Sequence, residues 1–200
     1  MFQYEKKYQK LGKKYIAGVD EAGRGPLAGP VVCACVIMPL NRNDIIKGVD
    51  DSKKLSAKKR EELYPLILEK ALAYKIAIIN HDVIDKINIL EATKRGMCEC
   101  INGLDIVPEI VLVDAVKGLK VDVDCEPIIH GDALSYSIGA ASILAKVTRD
   151  NLMVELDKEY PEYHFAKHKG YGTKEHIELL KKFGKCSIHR DTFIKHFIKD

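Results

Sequence analysis

No stretch of this 200-residue chain is long or apolar enough to span a membrane. Residues 1–14 are charged and lack the apolar centre of a signal peptide, so nothing is expected to direct the chain out of the cell. A cytoplasmic place is expected, and the six cysteines then read as reduced thiols. No two of them have the C-x-x-C spacing of a zinc site. Cys33 and Cys35 alternate along a strand pattern and face one side, while Cys98 and Cys100 fall in a helical region; burial as small apolar side chains is their expected role. Repeats, low-complexity tracts and long linkers are absent, and no Ser-His-Asp or Cys-His nucleophile arrangement stands out. Net charge is only +3, too little to argue for a nucleic-acid partner from bulk charge.

What is present suits a packed core. The chain is 46% hydrophobic, and its length fits one domain over residues 1–200, with residues from about 161 to 200 as a small C-terminal helical extension that contributes to substrate binding. Strand patterns run over 15–19, 31–38, 74–80, 110–113 and 127–129. Ser56 caps a helix reaching about residue 73, with Pro65 an irregularity. Asp82 or Asn88 starts another helix toward Gly103. Residues 138–160 form the strongest helix, whose Gly139, Ala140, Ala141 and Ala145 permit close packing on a sheet, and residues 173–183 form a last amphipathic one. This order implies an α/β fold with a mixed sheet.

Charge is clustered. Lys53, Lys54, Lys58, Lys59 and Arg60 form one basic group. Lys167, His168, Lys169, Lys174, Lys181, Lys182 and Lys185 form another, interleaved with Tyr163, Phe165 and Tyr171. Either alone reads as a solvated face, whereas two flanking an acidic site suit a phosphate backbone. That acidic site is the most informative feature: Asp20-Glu21 ends an apolar strand and feeds into Ala22-Gly23-Arg24-Gly25-Pro26. Carboxylates gathered at strand ends hold hard cations that prefer oxygen. Gly23 and Gly25 let the backbone turn and approach a ligand, and Arg24 adds a donor fork suited to phosphate. Adjacent strand side chains point to opposite faces, so Asp20 and Glu21 share a site only if the chain turns at Glu21. Asp114 and Asp132 follow two further strands. Asp114 starting a turn and Asp132 capping a helix are the ordinary alternatives.

Residues 20–31, Asp20-Glu21-Ala22-Gly23-Arg24-Gly25-Pro26-Leu27-Ala28-Gly29-Pro30-Val31, resemble the opening signature of the ribonuclease HII family. Further blocks are similar and in the family's order: Asp51-Ser52-Lys53-Lys54-Leu55, Val113-Asp114-Ala115, Gly131-Asp132-Ala133, the helix segment 141–150, and Lys169-Gly170-Tyr171-Gly172-Thr173. The resemblance covers most of the chain. It implies a ribonuclease H-like fold, a mixed five-stranded sheet flanked by helices, with Asp20, Glu21, Asp114 and Asp132 as the catalytic, metal-binding acids.

Further implications concern substrate and chemistry. Two ions, Mg2+ or Mn2+, are expected during catalysis. The loop Gly23-Arg24-Gly25 is expected to read the 2′-hydroxyl of a ribonucleotide, chiefly through backbone groups, and Tyr171 to pack on the next deoxyribose. The expected substrates are RNA-DNA hybrids and duplex DNA containing ribonucleotides, nicked on the 5′ side to leave 3′-hydroxyl and 5′-phosphate ends, in ribonucleotide and RNA primer removal. Ser142, Lys146 and Arg149 form one helical stripe able to face phosphate, with pairing to Glu155 or Asp150 the competing role. Ser52 and Lys53 are further phosphate candidates. His130 stands where the family commonly has lysine, which touches a local phosphate contact and not the chemistry. His164, His168, His176 and His189 match no familiar ligand spacing, and carboxylates favour magnesium or manganese. No clamp-binding motif is evident after Arg190, no protein partner is expected, and the chain is expected to be a monomer. Ribonuclease H type one, and a non-catalytic binding module whose acids merely cap and solvate, are the alternatives.

Overall fold

The computed structural model of the chain describes residues 1–198. Residues 199 and 200, the end of the expected extension and of the stretch after Arg190, lie outside the described residues. One mixed sheet holds β1 (Ile16–Ala22), β2 (Val31–Ile37), β3 (Ala73–Ile79), β4 (Ile110–Asp114) and β5 (Cys125–Ile128), in the order β3-β2-β1-β4-β5. β1 pairs antiparallel with β2 and parallel with β4; β3 joins β2 antiparallel and β5 joins β4 parallel. The helices are α1 (Gln3–Lys10), α2 (Ala57–Lys70), α3 (His81–Ile87), α4 (Ile89–Asn102), α5 (Gly131–Leu134), α6 (Tyr136–Glu159), α7 (Phe165–His168), α8 (Lys174–Phe183) and α9 (Asp191–Ile194). None is long and apolar enough to cross a membrane.

The sequence of β2, Val-Val-Cys-Ala-Cys-Val-Ile, is buried throughout, as a continuous apolar run requires when both strand faces are covered. On one face α6 lays Tyr136, Ala140, Ala141 and Leu144 over Ala34 and Val36. On the other, Met97 and Cys100 of α4 pack against Val19, Cys33 and Cys35. Burial pushes the Cys33 and Cys35 thiols well up, away from the reactive thiolate. A Cβ on Gly18 would lie 2.2 Å from the backbone of Ser137, so glycine there is what lets the start of α6 touch β1.

Local signals explain most element ends. Ser56 caps α2 by accepting from the Lys59 amide. Pro65 lies inside α2 without ending it, and α2 stops short of the expected residue because Ala73 opens β3. Both candidate starts before Gly103 are used. α3 begins beside Asp82, and Asn88, at φ 66°, caps α4 by accepting from the Leu90 and Glu91 amides.

α1 is an addition to the sequence reading. Its buried residue is Glu5, whose Oε1 accepts from the Ser135 hydroxyl at 2.6 Å and from the Ser137 amide at 2.9 Å. Ser135 in turn caps α6 through the Ile138 amide. A carboxylate at a helix start answers unpaired donors and the helix dipole together. Glu5→Ala leaves buried donors unpaired and is expected to cost about 1–3 kcal/mol, read as a lower urea midpoint at unchanged m-value. An unmoved midpoint would remove Glu5 from this capping role.

The C-terminal extension gathers Tyr163, Phe165 and Ile188 against Ala28 and Met153, so it closes over the loop 23–30 between β1 and β2. His168, His176 and His189 are buried inside it. The His168 and His176 rings stack at 4.4 Å, and His176 Nε2 lies 3.1 Å from His189 Nε2.

Candidate active site

The parallel register pairs Val19 with Val113, which sets Asp20 and Asp114 side by side at the carboxyl ends of two neighbouring strands. Asp132 arrives on α5 after β5. One carboxylate oxygen from each of the three lies within 4.8 Å of the others. Asp114 Oδ1 accepts from the Gly131 amide at 2.8 Å, tying the end of β4 to the turn that carries Asp132. Asp132 caps no helix: it lies within α5, and the cap of α6 is Ser135. Asp20 Oδ1 accepts from the Glu21 amide at 2.7 Å, and the neighbouring Ser142 hydroxyl favours the ionised form of the Asp20 carboxyl. The Ser142 hydroxyl meets that of Ser52 at 2.8 Å.

β1 remains a strand through Ala22, with Glu21 paired to Cys33. The turn expected at Glu21 does not occur, because the β1–β2 ladder continues past it. Glu21 therefore stands outside the three-acid group, though it lines the same cleft. Its Oε1 faces Arg24 at 3.5 Å, and its Oε2 is buried without a hydrogen-bond partner.

Crowding and burial act on Asp20, Glu21 and Asp114. Burial, then the charges of Glu21 and Asp114, hold the Asp20 carboxyl well above its ordinary range. Burial and Asp132 raise Asp114, and burial raises Glu21 against the pull of Arg24. Lys53 Nζ lies 3.2 Å from Asp132 Oδ2. Burial alone would lower this ammonium, but Asp132 and Asp20 raise it overall. An all-oxygen, anionic donor set with an unpartnered buried oxygen on Glu21 fits a hard divalent cation.

The cleft, of about 230 Å3, is lined by Asp20, Glu21, Asp114, the loop Gly23-Arg24-Gly25, Ser52, Lys53, Ser142, Lys146 and Tyr171. Sequence-predicted residues thus meet from five separate segments. Arg149 is the correction. It is fully buried, and its guanidinium donates to the carbonyls of Pro30 (2.9 Å), Lys169 (3.0 Å) and Ala28 (3.2 Å). Fully buried, with its fork turned onto backbone carbonyls, it presents no surface to a phosphate. Lys146 pairs with Asp150 at 2.7 Å and still lines the cleft. Lys146 Nζ and the Arg149 guanidinium each lie 5.7 Å from the Tyr171 ring centre, where they steady a side chain that is 39% exposed.

The two loop glycines differ. Gly23 has φ +96°, and a Cβ there would lie 2.0 Å from Arg149 Nε, so the fold demands glycine. Gly25 has neither constraint, and a Cβ there would meet nothing within 4 Å. Sequence reasoning missed Arg190. It is fully buried and donates to the carbonyls of Gly23 (2.7 Å), Gly29 (2.9 Å) and Arg24 (3.0 Å). No local pattern announces a contact across 166 residues.

A family model for ribonuclease HII matches residues 17–198. The chain belongs to the ribonuclease HII family. It is 53% identical over 199 residues to the ribonuclease HII of Ruminiclostridium cellulolyticum, covering 100% of this chain and 77% of that one. With the ribonuclease HII of Caldicellulosiruptor bescii it shares 53% over 197 residues, 98% of this chain and 95% of the other. The crystal structure of ribonuclease H2 from Pyrococcus horikoshii is similar at TM-score 0.76 and 28% identity, covering 92% of this chain and 99% of that one. As a ribonuclease HII the chain is a hydrolase, a metal-dependent endonuclease acting on RNA-DNA hybrids.

Proposed function

We propose that the chain nicks immediately 5′ of a ribonucleotide, including one embedded alone in duplex DNA, and leaves 3′-hydroxyl and 5′-phosphate ends. The observation that carries this reading is the convergence of Asp20, Asp114 and Asp132 within 4.8 Å beside the Gly23-Arg24-Gly25 loop, whose Arg24 and Gly25 are exposed along the same cleft. Asp20, Asp114 and Asp132, with the unpartnered oxygen of Glu21, would hold two Mg2+ or Mn2+ ions, which would supply activation of a water and stabilisation of the leaving oxygen.

The remaining roles fall to this chain's own groups. Ser142, itself touching Ser52, favours the ionised form of the Asp20 carboxyl beside it. Lys53 offsets the charge of Asp132 and stands ready for phosphate at the cleft wall. The open space over Gly25 admits a sugar hydroxyl close to the backbone, which suits recognition of the one group that separates RNA from DNA. Tyr171 presents a ring face to the following sugar, where a bare C2′ packs and a hydroxyl is crowded.

This arrangement favours a ribonuclease HII reading that needs only one ribonucleotide over one that needs a run of them. Tyr171→Ala is the test. It is expected to cut a duplex with a single ribonucleotide about 5- to 150-fold more slowly, as the roughly 1–3 kcal/mol of an aromatic contact with a nucleotide implies, while duplex binding changes little. Equal losses in cutting and binding would make the tyrosine a structural residue.

A further inference from the structure

Loop 23–30 is irregular backbone, whose carbonyls need partners once buried. Two consecutive carbonyls, of Gly23 and Arg24, are taken by the guanidinium of Arg190, delivered by the far end of the chain. Across a trans peptide the carbonyl and the following N–H point in opposite directions, and the described chain has no cis peptide. With those carbonyls turned onto Arg190, the N–H groups of Arg24 and Gly25 point away from it. Both residues are exposed and line the cleft. Among the described residues neither N–H has a hydrogen-bond partner.

We infer that Arg190 is a positioning residue for substrate recognition, its fork fixing the Arg24 and Gly25 amides as paired donors for an oxygen of the substrate's sugar-phosphate backbone. The inference deepens the ribonucleotide reading above and rests on it. Burial pulls the Arg190 guanidinium down to about 9, so it stays charged at neutral pH. A charge on the carbonyl side polarises each peptide and strengthens the outward N–H as a donor. Through Arg190 the C-terminal extension thereby acts on recognition from behind the loop, without that residue touching substrate.

The test compares wild type, Arg190→Lys and Arg190→Ala on a duplex carrying one ribonucleotide, with the Mn2+-induced rise in melting temperature as a separate readout of the acid cluster. Both variants are expected to keep the Mn2+ shift and to lose about 10- to 100-fold in kcat/KM, somewhat less than direct removal of a transition-state donor. Millimolar methylguanidinium is expected to restore part of the loss in Arg190→Ala and none in Arg190→Lys. A folded variant that keeps the Mn2+ shift and cuts at the wild-type rate overturns the inference, as does a folded Arg190→Ala that methylguanidinium leaves unchanged. If Arg190→Ala does not fold, Arg190→Lys decides by the same rate and shift. Wild type that leaves a lone ribonucleotide uncut contradicts the functional reading instead, and the variants are then compared on an RNA-DNA hybrid, where the same outcomes decide the role of Arg190.

Discussion

Asp20→Asn is expected to abolish cleavage while raising the melting temperature of the metal-free protein. The loss follows from the three-acid group, in which Asp20 is 3% exposed and shares its site with Asp114 and Asp132. Losing a ligand charge should exceed the roughly 10- to 100-fold that follows loss of an outer-shell partner. The gain in stability follows from the same crowding. Burial and neighbouring charge raise the folded carboxyl above its ordinary value of 3.8. The ionised form therefore costs the fold free energy at any pH above the folded value, and acidification through that value relieves it. Asparagine removes the charge and keeps an acceptor for the Glu21 amide. Each kcal/mol relieved is worth roughly 2–4 °C in a chain of this size. Manganese at a hundredfold excess over its Kd should stabilise wild type by about 2.7 kcal/mol and the variant far less. Thermal scans with chelator and with manganese check both halves, and equal manganese shifts would place the ions elsewhere.

Mild acid is expected to loosen the C-terminal extension before the sheet. His176 and His189 are 0% and 2% exposed, and their partners fix where the protons sit. His176 Nδ1 donates to the Tyr171 carbonyl at 2.9 Å, and His189 Nδ1 accepts from the Cys186 amide at 3.0 Å. One proton is left for the 3.1 Å gap between the two Nε2 atoms, donated by His189, so both rings are neutral. Burial pushes each down to about 4, and for His189 the neighbouring His176 adds to it. Both bases titrate lower folded than unfolded, where the ordinary value is 6.5. Their contribution is fully present above pH 6.5 and is lost as pH falls toward 4. At about 1.4 kcal/mol per pKa unit, the first proton taken up by the pair costs on the order of 3 kcal/mol. His189→Asn, which cannot titrate, should flatten the fall in melting temperature between pH 7 and 5 and the rise in proteolytic cutting within residues 165–194. Parallel pH profiles for variant and wild type would mean that the pair does not govern acid stability.

How far the chain could be read without coordinates depended on how local each signal was. The apolar run of β2, the Ser56, Asn88 and Thr173 caps and the small-residue face of α6 are written within a few neighbouring positions. The mixed sheet was legible in the alternation of strand and helix patterns, and the set Asp20, Asp114 and Asp132 through the family resemblance; the parallel pairing of β1 with β4 is the physical reason that the first two meet. Arg149 was misread because helical spacing gives a direction around the axis but not what covers it; the extension and the loop 23–30 supply the cover. Glu5 and Arg190 left no trace because each acts on backbone more than a hundred residues away. The face of Glu21 depended on how far the β1–β2 ladder ran, which glycines next to it left undetermined.

The most direct measurement is cleavage of a DNA duplex carrying one ribonucleotide, with both new ends mapped, in Mg2+ or Mn2+ and in chelator. The expected result is one nick on the 5′ side of the ribonucleotide, leaving a 3′-hydroxyl and a 5′-phosphate, with no product in chelator. Cleavage that persists in chelator, cuts at other positions, or tight binding to the intact duplex without any cut would contradict the assignment of the acid cluster and its loop to ribonucleotide nicking.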